Sequence, residues 1–366
     1  MLYGREEFSV KMEDSSSSCE DDVLLENKKS NFIRDEDPSY QPIIRPLSDT
    51  IGDDYKILDL IDSTNEYKSY FGIHQRLKFF VLIKFYYKSP ILLRKANIET
   101  EALTITNTVD LIHQYFVKYI GRYEYNLCPI LIFQALGPTL TKQMDFFNGL
   151  TFSLSTIRIF MWHLIHALEL LHECKLICGN LSTDTISLLD DYVDQKGYVM
   201  KTGERSVQLR INSLSCASNG NIWHVSSMCP ERVQAPEQLL STRWSYEIDI
   251  WQLGILFVEL ITGRRLFTHN NRLLHYALIE KLGGQFPRFL LDESQKTDVP
   301  IFRDGKCDIT MLDDECRKIY NSFPTLENMI HNDKALSFAQ ATLCTDPSRR
   351  LLPLQLINHP FIIDLN

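Results

Sequence analysis

Aromatic and β-branched residues concentrate in three short segments that follow a polar beginning. Residues 55–60, 70–73 and 79–86 are predicted to be successive β-strands, because such side chains favour the pleated backbone. A further apolar run at 128–134 predicts another strand. Residues 91–106 are predicted to form a helix between the strands at 79–86 and 128–134. The first part of the folded region is therefore expected to be a β-sheet accompanied by one helix.

The second half of the chain has the periodicity of helices. Apolar residues recur at helical spacing between about 155 and 172, and Ser155 is the expected N-cap. Two short strand-like pieces are expected on either side of a loop at 182–198. A strand-rich beginning and a helix-rich end predict an α+β fold with two lobes. Further helices are expected at about 246–262, 273–282, 335–343 and 354–357.

Composition separates a tail from the folded region. Residues 1–50 contain the serine run 15–18 followed by an acidic cluster, and they are poor in aromatic and β-branched residues. This composition predicts a disordered acidic tail. The folded domain is expected at 53–363, with a small lobe at about 53–134 and a larger lobe at about 135–363.

Charge and cysteine content limit the classes of partner and compartment. The 366 residues carry a net charge of −9, which argues against direct binding to nucleic acid and suits basic protein partners. Nine cysteines without a regular spacing predict reduced thiols inside the cell. No secretory signal and no apolar run of about 18 residues is apparent, so no membrane association is expected.

Several short motifs in the second half occur in a recognisable order. Ala235-Pro236-Glu237 is followed by Asp249-Ile250-Trp251-Gln252-Leu253-Gly254, then by Asp346-Pro347-Ser348-Arg349-Arg350 and His359-Pro360-Phe361. Together they resemble the helical lobe of a eukaryotic protein kinase. Residues 276–281, with Gly284 and Pro287, are similar to the LAMMER signature of the Clk branch of the CMGC kinases. The resemblance extends over about 53–363 and implies a bilobal kinase-like fold, with a small β-rich N-lobe and a larger helical C-lobe.

The resemblance assigns structural roles to three charged residues. Glu237 and Arg350 are expected to form a buried ion pair that ties the activation segment to the C-lobe. Asp249 is expected to cap the backbone of the catalytic loop. These roles maintain a fold and carry no chemistry.

The resemblance also places candidate nucleotide-binding residues in the N-lobe. Lys84 ends the apolar run 81–84 and matches the lysine that contacts phosphates, with Glu99 as its expected helix partner and Glu101 as the alternative. Leu82 stands where the family has a small alanine over the adenine, so crowding of the base is expected. In the glycine-rich loop of the family, only glycine lets the backbone approach phosphates closely. Here the three glycine positions are occupied by Asp62, Thr64 and Tyr67.

The catalytic and metal-binding positions depart most from the family. Asn180 replaces the aspartate that accepts the hydroxyl proton, and an amide is not a usable base at neutral pH. The register of the metal-binding Asp-Phe-Gly motif gives Ser213, with Asn212 as a one-residue alternative. Asp184 is weighed as a substitute carboxylate and disfavoured, because it falls on the wrong side of the loop. The remaining substitutions are Cys178 for histidine, Ser182 for lysine and Thr185 for asparagine.

These substitutions predict a catalytically inactive Clk-like pseudokinase that acts as a binding or regulatory scaffold. No competent catalytic residue, no metal and no cofactor are then expected, with ATP binding doubtful and magnesium binding disfavoured. One alternative is an atypical active serine/threonine or dual-specificity kinase that uses Lys84 and Glu99. Another is a switch that binds ATP without metal. By resemblance, the expected partners are basic Arg/Ser-rich segments or an active kinase, and the expected location is the nucleus or the cytoplasm.

Overall fold

In the computed structural model, residues 50–146, 152–189, 208–294, 302–303 and 305–363 are described. The predicted acidic tail lies outside these residues except for Thr50, so its disorder and the predicted domain boundaries stay predictions. The described part shows the expected kinase-type architecture, with a β-sheet lobe followed by a helical lobe. The predicted fold class is therefore confirmed.

The N-lobe is built on an antiparallel six-stranded sheet in the order β1-β2-β3-β4-β6-β5. Its long helix α1 packs against β4, β5 and β6. Strand β5 was not predicted, because its residues are mostly half-buried and show no clear alternation. The elements are β1 (Thr50–Ile51), β2 (Tyr55–Ser63), β3 (Tyr67–His74), β4 (Phe80–Tyr86), α1 (Pro90–Val109), β5 (Tyr119–Tyr125) and β6 (Cys128–Gln134).

The C-lobe is organised around two long apolar helices, α3 and α5, which pack against each other. Thirteen residues of α5 are buried, which explains why its sequence is apolar on all sides. The α-helices are α2 (Leu140–Phe146), α3 (Leu154–Glu173), α4 (Pro236–Leu239), α5 (Glu247–Thr262), α6 (Arg272–Gly283), α7 (Arg288–Glu293), α8 (Asp314–Ser322), α9 (Leu326–Met329), α10 (Asp333–Thr342), α11 (Pro353–Leu356) and α12 (Pro360–Ile363).

Short strand pairs position the loops of the C-lobe. β7 (Leu176–Ile177) pairs with β10 (Ser218–Asn219), and β8 (Ile186–Leu188) pairs with β9 (Leu209–Ile211). A third pair joins β11 (Phe302–Arg303) to β12 (Lys306–Cys307). The first two pairs fix the segment between β7 and β8 beside the segment that follows β9. These are the two segments that carry the predicted catalytic and metal-binding positions.

Helix α3 is long and apolar enough to cross a membrane by length and composition alone. Ten of its residues are buried, among them Ile157, Phe160 and Leu164. These three residues belong to the main hydrophobic core of the described residues. The apolar character of α3 is therefore that of a core helix.

The N-cap of α3 is Ser153, and the prediction of Ser155 is wrong. The Ser153 side chain accepts a hydrogen bond from the backbone N–H of Thr156 at 3.1 Å. Two serines two residues apart are equally good caps by residue type. The backbone conformation determines which of the two serines caps the helix, and Ser153 has the extended conformation that an N-cap requires.

Replacing this cap is expected to have a modest effect on stability. Ser153→Ala should lower the free energy of unfolding by about 1 kcal/mol, because one N–H at the start of α3 loses its acceptor. Ser155→Ala is the matched control and should change it by less than about 0.5 kcal/mol. Urea unfolding measures both values. Equal losses in the two variants would contradict this assignment of the cap.

Candidate active site

A buried ion pair joins the sheet to helix α1 in the N-lobe. Lys84 on β4 donates to both carboxylate oxygens of Glu99 on α1, at 3.0 and 2.9 Å. Both side chains are almost fully buried. Glu101, the alternative partner, is exposed on α1. The structure therefore places Glu99, and not Glu101, beside the lysine.

Glu99 is the centre of a larger hydrogen-bond network. Its carboxylate also accepts from the Tyr86 hydroxyl at 2.5 Å and from the Ser213 hydroxyl at 2.5 Å. Lys84 makes a third contact, to the Ser213 Oγ at 3.3 Å. All three N–H donors of the Lys84 ammonium group thus have an acceptor. This network holds α1 close to the sheet.

The network determines the protonation of its members. Burial alone would lower the pKa of Lys84, but the Glu99 carboxylate outweighs it and the pKa is raised. Burial, together with the adjacent Glu99 charge, raises the pKa of the Tyr86 hydroxyl well above its ordinary value. Lys84 therefore remains charged and Tyr86 remains a hydrogen-bond donor at neutral pH.

The turn between β2 and β3 lies where the phosphate-binding loop was expected. The Thr64 hydroxyl accepts hydrogen bonds from the backbone N–H groups of Glu66 and Tyr67, both at 3.1 Å. Its own proton is donated to the Tyr67 carbonyl at 3.1 Å. Two amides that a glycine-rich loop would offer to phosphate are thus used within the turn. Asp62, the remaining glycine-position residue, accepts from the backbone N–H of Ser63 at 2.9 Å.

The segment after β7 is held by its main chain. Asp249 on α5 accepts from the backbone N–H groups of Cys178 and Gly179, at 2.8 and 2.9 Å, and contacts His172 Nε2 at 2.9 Å. Gln252, one turn further along α5, accepts from the backbone N–H of Leu181 at 2.8 Å. The structure therefore places Asp249 as a backbone cap of this loop.

The side chains of the loop carry no acid or base in the family's catalytic positions. Burial raises the pKa of the Cys178 thiol well above its usual value, with the Asp249 charge adding to the effect, so it stays protonated. Ser182 and Thr185 are buried and within hydrogen-bond distance of each other at 3.4 Å. Within the described part of the chain, the buried Asn180 Oδ1 has no hydrogen-bond partner. Asn180 is thus the residue of this loop with an unused polar atom.

The metal-binding positions also lack carboxylates. Ser213 lies against Lys84 and Glu99, whereas Asn212 donates to the Ser187 hydroxyl at 2.7 Å. Among the described residues, no group of three or more His, Cys, Asp or Glu side chains is arranged to bind a metal ion. Magnesium prefers charged oxygen ligands. The side chains of Ser213 and Thr185 do not fit that ion.

Asp184 is engaged elsewhere in the C-lobe. Its carboxylate accepts from Thr141 on α2 at 2.7 Å, forms an ion pair with Arg232, and contacts Arg265 at 2.7 Å. Burial lowers the pKa of Arg232, and the Asp184 charge counters the effect. The carboxylate is thus used to join α2 to the segments before α4 and after α5.

Glu237 and Arg350 form a bidentate ion pair in the core of the C-lobe. The distances from Arg350 Nη1 and Nη2 to the carboxylate oxygens are 2.6 and 2.8 Å. Both side chains are essentially inaccessible to solvent. The guanidinium group also donates to the carbonyl oxygens of Cys344 and Glu247, at 2.8 and 3.0 Å. The pair connects α4 to the segment before α11.

Three contacts at the site are not predicted from the sequence. The Tyr67 and Tyr86 rings lie 4.2 and 4.9 Å from Lys84 Nζ. Lys95 on α1 pairs with Glu66 of the β2–β3 turn at 2.5 Å. Tyr86 lies two residues from Lys84 on β4, and residues two apart on a strand share a face. Tyr67 lies two residues from Ser69, which pairs with Lys84, so its side chain is on the same face. Leu82 lies opposite Phe133 and packs against the main core.

Comparison with known proteins supports the family suggested by the motifs. The family described as "Protein kinase domain" matches residues 68–362. Similar proteins include serine/threonine-protein kinase AFC2 of Arabidopsis thaliana, 26% identical over 65% of this chain and 60% of the relative. Dual specificity protein kinase lkh1 of Schizosaccharomyces pombe is 26% identical over 58% of this chain and 33% of its own length. Human dual specificity protein kinase CLK1 is 23% identical over 73% of this chain and 57% of its own length.

The match thus covers less than two thirds of the length of each of these relatives. Among solved structures, the crystal structure of a kinase domain superimposes with a TM-score of 0.76 and 23% identity. It covers 85% of this chain and 96% of that domain. This likeness shows the fold.

Two expectations from the sequence are corrected by these findings. The prediction that the chain is not an enzyme is wrong, because its relatives are named as serine/threonine and dual-specificity kinases. The prediction that it uses no cofactor is wrong for the same reason, since protein kinases use ATP and magnesium. Removing a general base costs about 10²–10⁴ in rate, whereas enzymes accelerate reactions by about 10⁶–10¹⁷.

Proposed function

The chain belongs to the protein kinase family, and we propose that it is an active Clk-like kinase. The proposed reaction transfers the γ-phosphoryl group of ATP to protein hydroxyl groups, with serine/threonine or dual specificity. The activity is that of an atypical kinase, because the loop after β7 differs from the family at its catalytic positions.

The buried Lys84–Glu99 pair is the observation that supports this proposal most directly. In protein kinases, the strand lysine and the helix glutamate must be paired before the phosphates of ATP are positioned. In this chain the pair is formed at 2.9 Å and is reinforced by Tyr86 and Ser213. Helix α1 therefore has the placement that an active kinase needs.

Positioning is the main contribution of the described residues to the reaction. Phosphoryl transfer proceeds through a loose transition state, so the protein mostly aligns the reactants and stabilises charge. Lys84 supplies a fixed positive charge, and Asp249 fixes the backbone near Asn180. The Asn180 amide can donate a hydrogen bond to an acceptor hydroxyl without removing its proton. A slow kinase is the expected result.

Replacing the lysine tests the proposal. The wild-type chain should incorporate radioactive phosphate from γ-labelled ATP into a serine-containing peptide, and Lys84→Met should lower the rate at least about 100-fold. The fixed charge beside Glu99 is lost in this variant. Phosphate incorporation over time measures the effect.

Lys56→Met removes a lysine that is exposed on β2 and should leave the rate unchanged. A thermal melt checks that Lys84→Met is folded. Tyr86 and Ser213 still donate to Glu99 in that variant, and a lower melting temperature is expected because the carboxylate has lost its countercharge. Incorporation that is the same with Lys84→Met as with the wild type would refute the proposed activity.

We further propose that the substrates or partners are basic Arg/Ser-rich proteins and that the chain acts in the nucleus. The support is the Clk-like character of the relatives and the net charge of −9, which attracts basic segments. An Arg/Ser-rich peptide should be phosphorylated faster than an acidic serine peptide of equal length, and the preference should weaken with added salt. Equal rates for the two peptides would count against this substrate class. Fluorescence of the tagged chain outside the nucleus would count against the location.

A further inference from the structure

The ring of Tyr67 lies directly against the ammonium group of Lys84. Lys84 Nζ lies 4.2 Å from the centroid of this ring, and Glu99 and Ser213 contact the same ammonium group from other directions. The Tyr67 ring also packs edge-on against Tyr86, with centroids 5.8 Å apart. The lysine is therefore enclosed by its acceptors and by two aromatic rings.

The β2–β3 turn holds Tyr67 in this place. Thr64 accepts from its backbone N–H and donates to its carbonyl, each at 3.1 Å. The preceding residue, Glu66, is tied to α1 through Lys95, whose side chain is almost fully buried. Strand pairing places Tyr67 opposite Tyr86 and Ser69 opposite Lys84. The backbone of Tyr67 is thus fixed by hydrogen bonds, by the neighbouring ion pair and by strand pairing, so the ring can leave Lys84 only by rotation of the side chain.

Electrostatics make the ring a barrier to anions. The face of an aromatic ring carries partial negative charge, which attracts the Lys84 ammonium group and repels phosphate. Burial raises the pKa of the Tyr67 hydroxyl, although the Lys84 charge counters part of the effect, so the phenol stays neutral. A phosphate group that binds Lys84 must displace the cation–π contact, and it must also share or replace an acceptor on Glu99 or Ser213, because these use all three N–H donors.

We propose that Tyr67 is a gate at the phosphate end of the cleft, whose ring must leave Lys84 before the phosphates of ATP bind there. This inference rests on the proposed use of ATP. The gate lowers the affinity of ligands that carry phosphates. It does not change the affinity of adenosine, which has none. Tyr67 is then a residue that sets nucleotide affinity, and it takes no part in the chemical step.

Binding of ATP and adenosine to the full chain tests the gate. Tyr67→Ala should bind ATP about tenfold more tightly than the wild type, because no cation–π contact has to be broken. Adenosine affinity should stay within about twofold, since adenosine carries no phosphate. Tyr67→Phe keeps the ring and should resemble the wild type. Tyr123→Ala, a tyrosine truncation on β5 where Tyr123 packs against Tyr55, is the matched control.

A merely structural role of Tyr67 would give a different result. Loss of packing would weaken both ligands or lower the melting temperature without separating ATP from adenosine. If ATP binds the wild type and Tyr67→Ala equally, the gate is refuted. If no variant binds ATP, the proposed function fails, and a second measurement decides the gate by itself.

That measurement is the reactivity of Lys84 towards a small acylating reagent, followed by mass spectrometry. Labelling of Lys84 in Tyr67→Ala should rise several-fold over the wild type and Tyr67→Phe, because the ring no longer shields the amine. Exposed Lys78 serves as the internal reference. Equal labelling of Lys84 in all three proteins overturns the proposal whether or not a nucleotide binds.

Discussion

Asn180→Asp should increase the rate of peptide phosphorylation by about 10²–10⁴. The change places a carboxylate at the position from which the acceptor hydroxyl would lose its proton, in a chain whose wild-type side chain there is an amide. The corresponding gain in transition-state stabilisation is about 2.7–5.5 kcal/mol. Steady-state kinetics with a serine peptide measure the increase as a change in kcat/KM.

The local structure favours this result. The polar oxygen of Asn180 is already buried without a hydrogen-bond partner among the described residues, so the substitution removes no existing contact of that atom. The backbone on either side is fixed by Asp249 and Gln252, through Gly179 and Leu181. The new carboxylate therefore enters a loop whose path is set by other residues.

A matched control isolates the effect of the base from that of one added negative charge. Asn328→Asp makes the same chemical change at an exposed position on α9, and the rate should not change. An Asn180→Asp protein that is folded but no faster than the wild type would show that proton removal does not limit the reaction.

Glu237→Ala should destabilise the C-lobe by about 3–5 kcal/mol, because Arg350 is left charged in the core without its partner. The guanidinium group keeps its hydrogen bonds to the Cys344 and Glu247 carbonyls and its position over the Trp251 ring. These contacts satisfy some of its donors and do not supply a countercharge. Urea denaturation measures the loss in the free energy of unfolding.

Two further variants define the origin of that loss. Replacing both partners, Glu237→Leu with Arg350→Met, should recover much of the stability, since no isolated charge remains. Asp292→Ala breaks the pair with Arg288 on α7, in which both side chains are exposed, and should cost at most about 1 kcal/mol. A loss for Glu237→Ala as small as that for Asp292→Ala would contradict a buried structural pair.

Much of the fold could be predicted because its signals are local. The apolar period of α3 and α5 and the strand composition of β4 and β6 are properties of short segments, and each appears within a few residues of its predicted bounds. The short helix α8 was not predicted because most of its nine residues are polar, and strand β5 was not predicted because its burial shows no clear alternation. Local patterns therefore identify elements that bury a continuous face.

The details of the site depend on contacts between distant parts of the chain. Glu99 and Glu101 are both acidic residues of α1, and only packing shows that the first is buried and the second exposed. Ser213 reaches Glu99 across 114 residues of sequence. The position of the Tyr67 ring follows from the Thr64 turn and the Lys95–Glu66 pair together. No single segment of the sequence contains that information.

The attachment of the loop after β7 to α5 has a consequence for the history of the chain. Asp249 and Gln252 bind main-chain groups, which every amino acid except proline provides in full. Side chains such as that of Asn180 can accordingly be exchanged by single mutations while the surrounding architecture survives. Descendants of an ancestral enzyme would be able to lose turnover and regain it in small steps, without passing through an unfolded intermediate.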